Sequence, residues 1–287
     1  GVGAHAVCVS GDFDTCQDIV KACFNDHGFR DSVNLSAVNS INWARLVPQI
    51  VYYFTSALKL GAPQQKVAFC VPTGNFGNVF AGWAAKKMGL PIEKLIIASN
   101  RNDILTRFFE DGGMIRERVE QSLSPSMDIQ VSSNFERLLF EFLERDAQLC
   151  AAKMEEFASK GVFNVSIENL NKLKEVFAAY RVNDEQTTDS IKSLFNDFGI
   201  IFDPHSAVGL HAAKSSRQDK IVAEHIPIIS LACAHPAKFP DIVEKAIGIR
   251  PELPQHLFDL INRKQLKIDI EGTIKATQEL IARKKRL

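Results

Sequence analysis

The chain has 287 residues, 46% hydrophobic and 24% charged, and its 34 basic side chains equal its 34 acidic ones. That length and balance suit a globular protein with a sizeable core in one or two domains, and they argue against a generic polyanion binder. No apolar run approaches the roughly 18 residues a membrane span needs, and six scattered cysteines without a CxxC pair set the expectation of a reduced, cytoplasmic protein.

The first residues, "GVGAHAVCVSGDFDTCQDIVKACF", carry no initiating Met. Residues 4–9 read as a buried strand and 14–24 as the helix after it. A strand with nothing upstream is an unusual beginning, so the chain is expected to be a fragment of a longer polypeptide. Residues 40–61, "SINWARLVPQIVYYFTSALKLG", read as a helix capped by Ser40 and stopped by Gly61, with Pro48 kinking it or marking its first turn. Short β-branched runs at 67–71, 94–99, 199–203 and 226–234 join 6–9 as strands of a parallel sheet covered on both faces. Helices are expected between them at 78–88, 206–215 and 240–246. Residues 113–198 show no convincing strand and read as a helical insertion, with apolar residues at helical spacing over 132–161 and 166–182. The last segment, "IEGTIKATQELIARKKRL", reads as an amphipathic helix whose basic end suits a helix C-terminus.

The stretch "VAFCVPTGNFGNVFAGWAAKKMG" (67–89) runs strand, Gly/Asn-rich loop, helix. Gly74 and Gly77 let backbone N–H groups turn inward, and a helix start adds free N–H groups at a positive dipole end, which suits a phosphate without a lysine. The loop is neither GxxxxGK[ST] nor GxGxxG, so the P-loop reading fails and the dinucleotide reading is weak. A plain turn built from residues that tolerate positive φ is the competing reading.

"PTGNFGN" resembles the cofactor-phosphate loop of fold-type II pyridoxal-phosphate enzymes, specifically of the threonine synthase family. "GDFDTCQDIVKACF", "NSINWARLVPQIVYYF", "SPSMDIQVSSNFERLLFE", "FDPHSAVGL" and "CAHPAKFPDIVEKAIG" resemble further segments of that family, in order. The resemblance implies an α/β fold like that of the tryptophan synthase β chain, with residues 1–60 in a smaller domain, 61–287 in a larger cofactor-binding one and the helical insertion at about 113–198. It implies pyridoxal 5'-phosphate as cofactor and O-phospho-L-homoserine as substrate, converted with water to L-threonine and phosphate. No metal, nucleic acid or membrane partner is expected.

Carried over by position, Thr73, Gly74, Asn75, Phe76 and Gly77 would hold the cofactor phosphate, with Asn78 opening the helix. The pyridine nitrogen's partner falls at Cys233, where related proteins usually carry a hydroxyl; a thiol is a weaker donor. Ser40, Asn42 and Arg45 would line the substrate site, Arg suiting bidentate capture of phosphate or carboxylate. Asn102, Asp103, His205 and Ser206 follow strand ends, where ligands of open sheets bind. Lys238 reads as salt-bridging or phosphate-attracting. The lysine that such enzymes link to the cofactor precedes the matching segment, and nothing in residues 1–287 resembles its motif. Two rivals remain: another fold-type II enzyme, such as a threonine deaminase or cysteine synthase relative, and a non-catalytic homologue that binds a phosphorylated ligand.

Overall fold

The computed structural model describes residues 3–11, 13–38, 40 and 42–284. In chain order the elements are β1 (Ala6–Val9), α1 (Phe13–Asn25), α2 (His27–Val33), α3 (Trp43–Lys59), β2 (Val67–Pro72), α4 (Gly77–Lys87), β3 (Ile92–Ser99), α5 (Ile104–Asp111) and β4 (Gly113–Ile115). There follow α6 (Phe135–Phe142), α7 (Ala147–Lys160), β5 (Val162–Asn164), α8 (Ile167–Val176), β6 (Phe177–Arg181), α9 (Asp184–Phe198), α10 (Pro204–Gln218), β7 (Ile228–Ser230), α11 (Pro240–Ile247), β8 (Lys267–Ile270) and α12 (Ile274–Lys284).

Two compact units result. The first joins residues 1–37 to 253–287, the second is 38–252. The second is built on a four-stranded parallel sheet in the order β6-β3-β2-β7. Strand alternation assigns its two faces. Val67, Phe69 and Val71 of β2, with Leu95 and Ile97 of β3, enter an aromatic-rich core shared with α3, α4 and α5. Ala68, Cys70, Ile96 and Ala98 enter a second core under α10. Small residues on that side let α10 lie close: the Cys70 thiol meets the Gly209 carbonyl at 3.0 Å, and a Cβ on Gly209 would stand 2.6 Å from Pro72 Cγ.

Several sequence expectations change here. Helix α3 is capped by Asn42, whose Oδ1 accepts the Ala44 amide at 2.9 Å, rather than by Ser40. The insertion contains strands: β4 and β5 form an antiparallel pair, and β6 joins the main sheet with Phe177 beside Leu95. The short run "FAAYR" carries little apolar signal, and the preceding helix pattern runs directly into it. Residues 132–161 form two helices, because Glu144 and Arg145 take positive φ and Asp146 caps α7. Residues 199–203 form no strand; Gly199 ends α9 at φ 67° and Asp203 already caps α10, leaving too little chain between. Strand β7 is three residues long. The expected division at 60/61 also differs from the contacts within the chain: Leu46, Tyr53 and Ala57 of α3 pack into the second unit's core, and residues 253–287 return to the first.

In the first unit, β1 and β8 pair in parallel, Ala6 beside Lys267, and α1, α2 and α12 accompany them. The expectation that β1 is buried fails: Ala6, Val7 and Cys8 are exposed, since β8 is its sole strand neighbour among the described residues. Part of the basic end expected for the last helix, residues 285–287, lies outside the described residues. Among the described residues, no helix is long and apolar enough to cross a membrane.

Candidate active site

A cleft of about 480 Å³ opens beyond the C-terminal ends of β2 and β7, the usual ligand position in an open parallel sheet. One wall is the loop from Thr73 to Asn78. Its conformation comes from Phe76, which takes φ 63° while Gly74 and Gly77 do not take positive φ. The buried Phe76 ring holds that left-handed backbone by packing edge-on against Phe135, 5.4 Å between centroids, and against Phe177. Gly77 sits in a tight place: a Cβ there would stand 3.1 Å from Ser40 Cβ and 3.2 Å from Leu46 Cδ2. The plain-turn reading of these glycines as positive-φ residues is thereby displaced.

The loop's carbonyls are tied back. Gly74 O accepts the Ser132 hydroxyl at 2.7 Å, and Asn75 O accepts the Asn134 amide at 3.1 Å and side chain at 2.9 Å. A trans peptide points its N–H opposite its C=O, so the Asn75 amide is turned away from Ser132. The Phe76 amide donates to Thr73 Oγ1 at 3.1 Å. The first bond of α4 is Phe80 N–H to Phe76 O at 2.9 Å. The amides of Asn75, Gly77, Asn78 and Val79 have no acceptor among the described residues. This is the donor array, at a helix start, that an anion would satisfy.

Helix α3 supplies the adjoining wall through Gln49 and Tyr52, with Ser40 just before it. The Tyr52 hydroxyl donates to Asn78 Oδ1 at 2.7 Å, and Tyr53 donates to Asn78 O at 2.8 Å. Burial, then the nearby Cys233, pushes the Tyr52 phenol up to about 12, and burial holds Tyr53 well above its ordinary value. Both remain protonated donors at neutral pH. Gln49 Oε1 is sealed from water and has no hydrogen-bond partner among the described residues.

The opposite wall carries Ser126, Met127, His205, Cys233, Ala234 and Lys238. Asp203, behind it, accepts from the His205 amide at 2.9 Å, the Ala234 amide at 3.2 Å and the Ser206 hydroxyl, and its Oδ1 lies 3.0 Å from His205 Nδ1. Burial opposes its charge, but the bonds from His205, Ser206 and Ala234 outweigh it and hold the carboxyl below its ordinary range. Cys233 borders the cleft, and its thiol donates to Leu231 O at 3.8 Å; the surrounding protein, then the Asp203 carboxylate, pushes it up to about 12 against a hydrogen bond with Ser206. The thiol is therefore a neutral, weak donor at physiological pH.

Of the residues expected from sequence, the cleft gathers Ser40, Thr73, Gly74, Asn75, Phe76, Gly77, Asn78, His205, Cys233 and Lys238. Asn42 and the exposed Arg45 do not line it. Asn102 is buried in a network with Asn100, Glu120 and Asp128, and Asp103 pairs with Arg107 and Arg181; neither lines the cleft, because their strand β3 ends one position further from β7. Gln49, Tyr52, Ser126, Met127 and Ala234 were missed. Gln49 and Tyr52 share an i, i+3 face on α3, a spacing visible in the sequence.

A parallel sheet with an anion-ready helix start and a neutral donor at the last strand defines a class that sequence comparison identifies. The family model described as "Pyridoxal-phosphate dependent enzyme" matches residues 1–233, and the chain belongs to that family. A second model, "Threonine synthase, C-terminal", matches residues 206–281. The chain is 48% identical over 266 residues to the threonine synthase of Pseudomonas aeruginosa, covering 92% of the chain and 56% of that relative. It superposes on the crystal structure of pyridoxal-phosphate-bound threonine synthase from Brucella melitensis with TM-score 0.91 at 48% identity, covering 99% of the chain and 60% of that one. For yeast threonine synthase the TM-score is 0.85 at 39% identity, with 98% and 59% covered. The chain thus spans under two thirds of the length of these relatives.

Proposed function

We propose that this chain forms the cofactor-phosphate side of a threonine synthase, an enzyme that converts O-phospho-L-homoserine and water to L-threonine and phosphate. The observation that carries the reading is the set of amides at Asn75, Gly77 and Asn78 with no acceptor among the described residues, in a loop that lines the same cleft as Cys233. A phosphate of pyridoxal phosphate fits there, held by backbone donors and the N-terminal dipole of α4, with Thr73 shaping the turn. Cys233 would face the pyridine nitrogen as an uncharged partner. When bound, the cofactor supplies an electron sink for the carbanionic substrate carbon.

The remaining roles belong to side chains. Ser40 and Gln49 line the proposed substrate volume. Lys238, with no carboxylate partner among the described residues, draws anions toward the cleft. Arg45 and Asn42, at the start of α3 and not among the cleft's lining, would be substrate-phosphate contacts in the complete protein. The amine that engages the cofactor is placed outside residues 1–287. The six free cysteines suit a cytoplasmic location.

The test is phosphate release from O-phospho-L-homoserine by the complete protein, run beside ammonia release from L-threonine. Phosphate release alone supports the reading. Ammonia release without phosphate release moves the protein to the deaminase-type rival, and neither signal favours the non-catalytic one.

A further inference from the structure

Asp203 lines no part of the cleft, yet the opposite wall hangs on it. Its side chain is fully buried, and all its hydrogen-bond partners lie on or next to that wall. Two relays leave it. Along the first, Asp203 Oδ1 lies 3.0 Å from His205 Nδ1, and the ring's far nitrogen, Nε2, lies 3.2 Å from the Ser126 amide nitrogen. An amide N–H only donates, so Nε2 bears a lone pair and the ring proton sits on Nδ1, given to Asp203. Along the second, the Ser206 hydroxyl gives its proton to Asp203 Oδ2, and its oxygen accepts the Cys233 amide at 2.9 Å. The Ala234 amide reaches the same Oδ2 at 3.2 Å.

We propose that Asp203 is a positioning residue for this cleft: by fixing the His205 tautomer and orienting the Ser206 hydroxyl, it sets where Ser126 and Cys233 stand on the ligand-facing wall. The inference deepens the pyridoxal-phosphate reading and rests on it only for the identity of the ligand. A carboxylate is needed because both oxygens must accept and neither may donate. An Asn at 203 cannot keep both relays. With its NH₂ toward His205, it faces the ring's own N–H; the ring must shift its proton to Nε2, and Ser126 then loses its acceptor. With its NH₂ toward Ser206, it turns that hydroxyl's proton outward against the Cys233 amide. The effect resembles the wrong-tautomer outcome that an Asp→Asn change produces in hydrolase triads.

The experiment uses the full 287-residue chain, ¹⁵N-labelled, with the His205 ring signals assigned by a His205→Gln variant. In the unmodified chain, long-range ¹H–¹⁵N correlations are expected to show the proton on Nδ1 and a lone pair on Nε2. A proton on Nε2, in either the neutral or the charged ring, overturns the proposal. In Asp203→Asn, either the tautomer switches and the Ser126 amide signal moves, or the Cys233 amide signal moves. Both amides keeping their shifts overturns it as well. Pyridoxal phosphate, titrated by calorimetry, is expected to bind Asp203→Asn roughly tenfold more weakly, the factor that about 1.4 kcal/mol for one lost hydrogen bond corresponds to; unchanged affinity overturns the positioning role. Should Asp203→Asn lose its fold, Ser206→Ala carries the test: the Cys233 amide must shift while the His205 tautomer stays. Failure of the unmodified chain to bind pyridoxal phosphate counts against the cofactor reading, and the ring and amide signals then decide the Asp203 relays on their own.

Discussion

Tyr52 and Tyr53, consecutive on α3, both bind Asn78 at the start of α4: Tyr52 through Oδ1 at 2.7 Å, Tyr53 through the carbonyl at 2.8 Å and Oδ1 at 2.9 Å. Adjacent helical side chains normally diverge by about 100°. Here their rings stack, 5.3 Å between centroids, and converge on one residue. The helix that walls the cleft is thereby fixed to the first turn that presents its amides.

The two hydroxyls differ in what replaces them. Tyr53 is fully buried and its ring packs on Phe69 at 4.6 Å. Tyr53→Phe removes a hydroxyl from a fully buried ring and takes one donor from the part-buried Asn78, and an unfolding free-energy loss of about 1–3 kcal/mol is expected. Tyr52 borders the cleft, where water reaches, so Tyr52→Phe is expected to cost about 1 kcal/mol or less. Urea denaturation of both variants measures this. Equal losses, or a larger one for Tyr52→Phe, contradict the assignment of Tyr53 as the structural anchor.

Gly77 carries a second expectation. A valine there drives its Cβ toward Ser40 and Leu46 and pushes the loop from its present path. Overpacking of this kind costs about 1–3 kcal/mol, which leaves most of the fold intact. Binding depends on amide directions at the same place, so pyridoxal phosphate affinity is expected to fall by more than that loss of stability explains. Parallel calorimetric titration and urea melts separate the two. A variant that unfolds outright, or binds normally, sinks the anion role of this loop.

Much of this was legible beforehand, and the reasons differ by residue. Val67 to Val71 read as a buried strand because both faces of β2 are covered, leaving no polar alternation. The phosphate loop was readable because its residue types announce a turn before a helix. Phe76 was not readable as the left-handed residue, since only the rings of Phe135 and Phe177, distant in sequence, stabilise that backbone in a bulky side chain. Strand β6 was hidden because Ala178 and Ala179 carry no β signal and owe their state to pairing with β3. Asp203 looked like one residue of "FDPHSA"; its reach to Ala234 crosses 31 positions and exists only in the fold.

Asp203 also makes the stability depend on pH with a definite sign. Its folded carboxyl lies below the unfolded value of 3.8. The stabilisation it contributes is therefore fully present above that value and is lost as pH falls through the lower folded one. Asp203→Asn has no such titration. The stability gap between the unmodified chain and Asp203→Asn is expected to be constant from pH 7 to about 5 and to shrink below about 4. Urea midpoints across that range test it, and a gap that widens on acidification contradicts the charge state assigned here.

Pyridoxal phosphate chemistry needs an amine placed in the cleft, both to anchor the cofactor covalently and to move the substrate's α-proton. The lysine that lines the cleft is Lys238, exposed, with its ammonium 5.5 Å from the Phe239 ring centroid. It lies in the short turn Pro236–Lys238, where His235 Nδ1 accepts the Ala237 amide at 3.2 Å, and among the described residues it has no carboxylate partner. A general base must reach its proton in a fixed geometry, and this ammonium lies over the Phe239 ring, exposed at the mouth of the cleft. The phosphate loop, by contrast, needs no amine to bind its anion. The 287-residue chain alone is therefore expected to bind pyridoxal phosphate reversibly and to release no phosphate from O-phospho-L-homoserine. Incubation with the cofactor, gel filtration, borohydride reduction and peptide mapping provide the measurement. No lysine is expected to carry a stoichiometric label. One label per chain at Lys238 would show that the amine lies within residues 1–287, and phosphate release by this chain would show that its chemistry is complete without any other part.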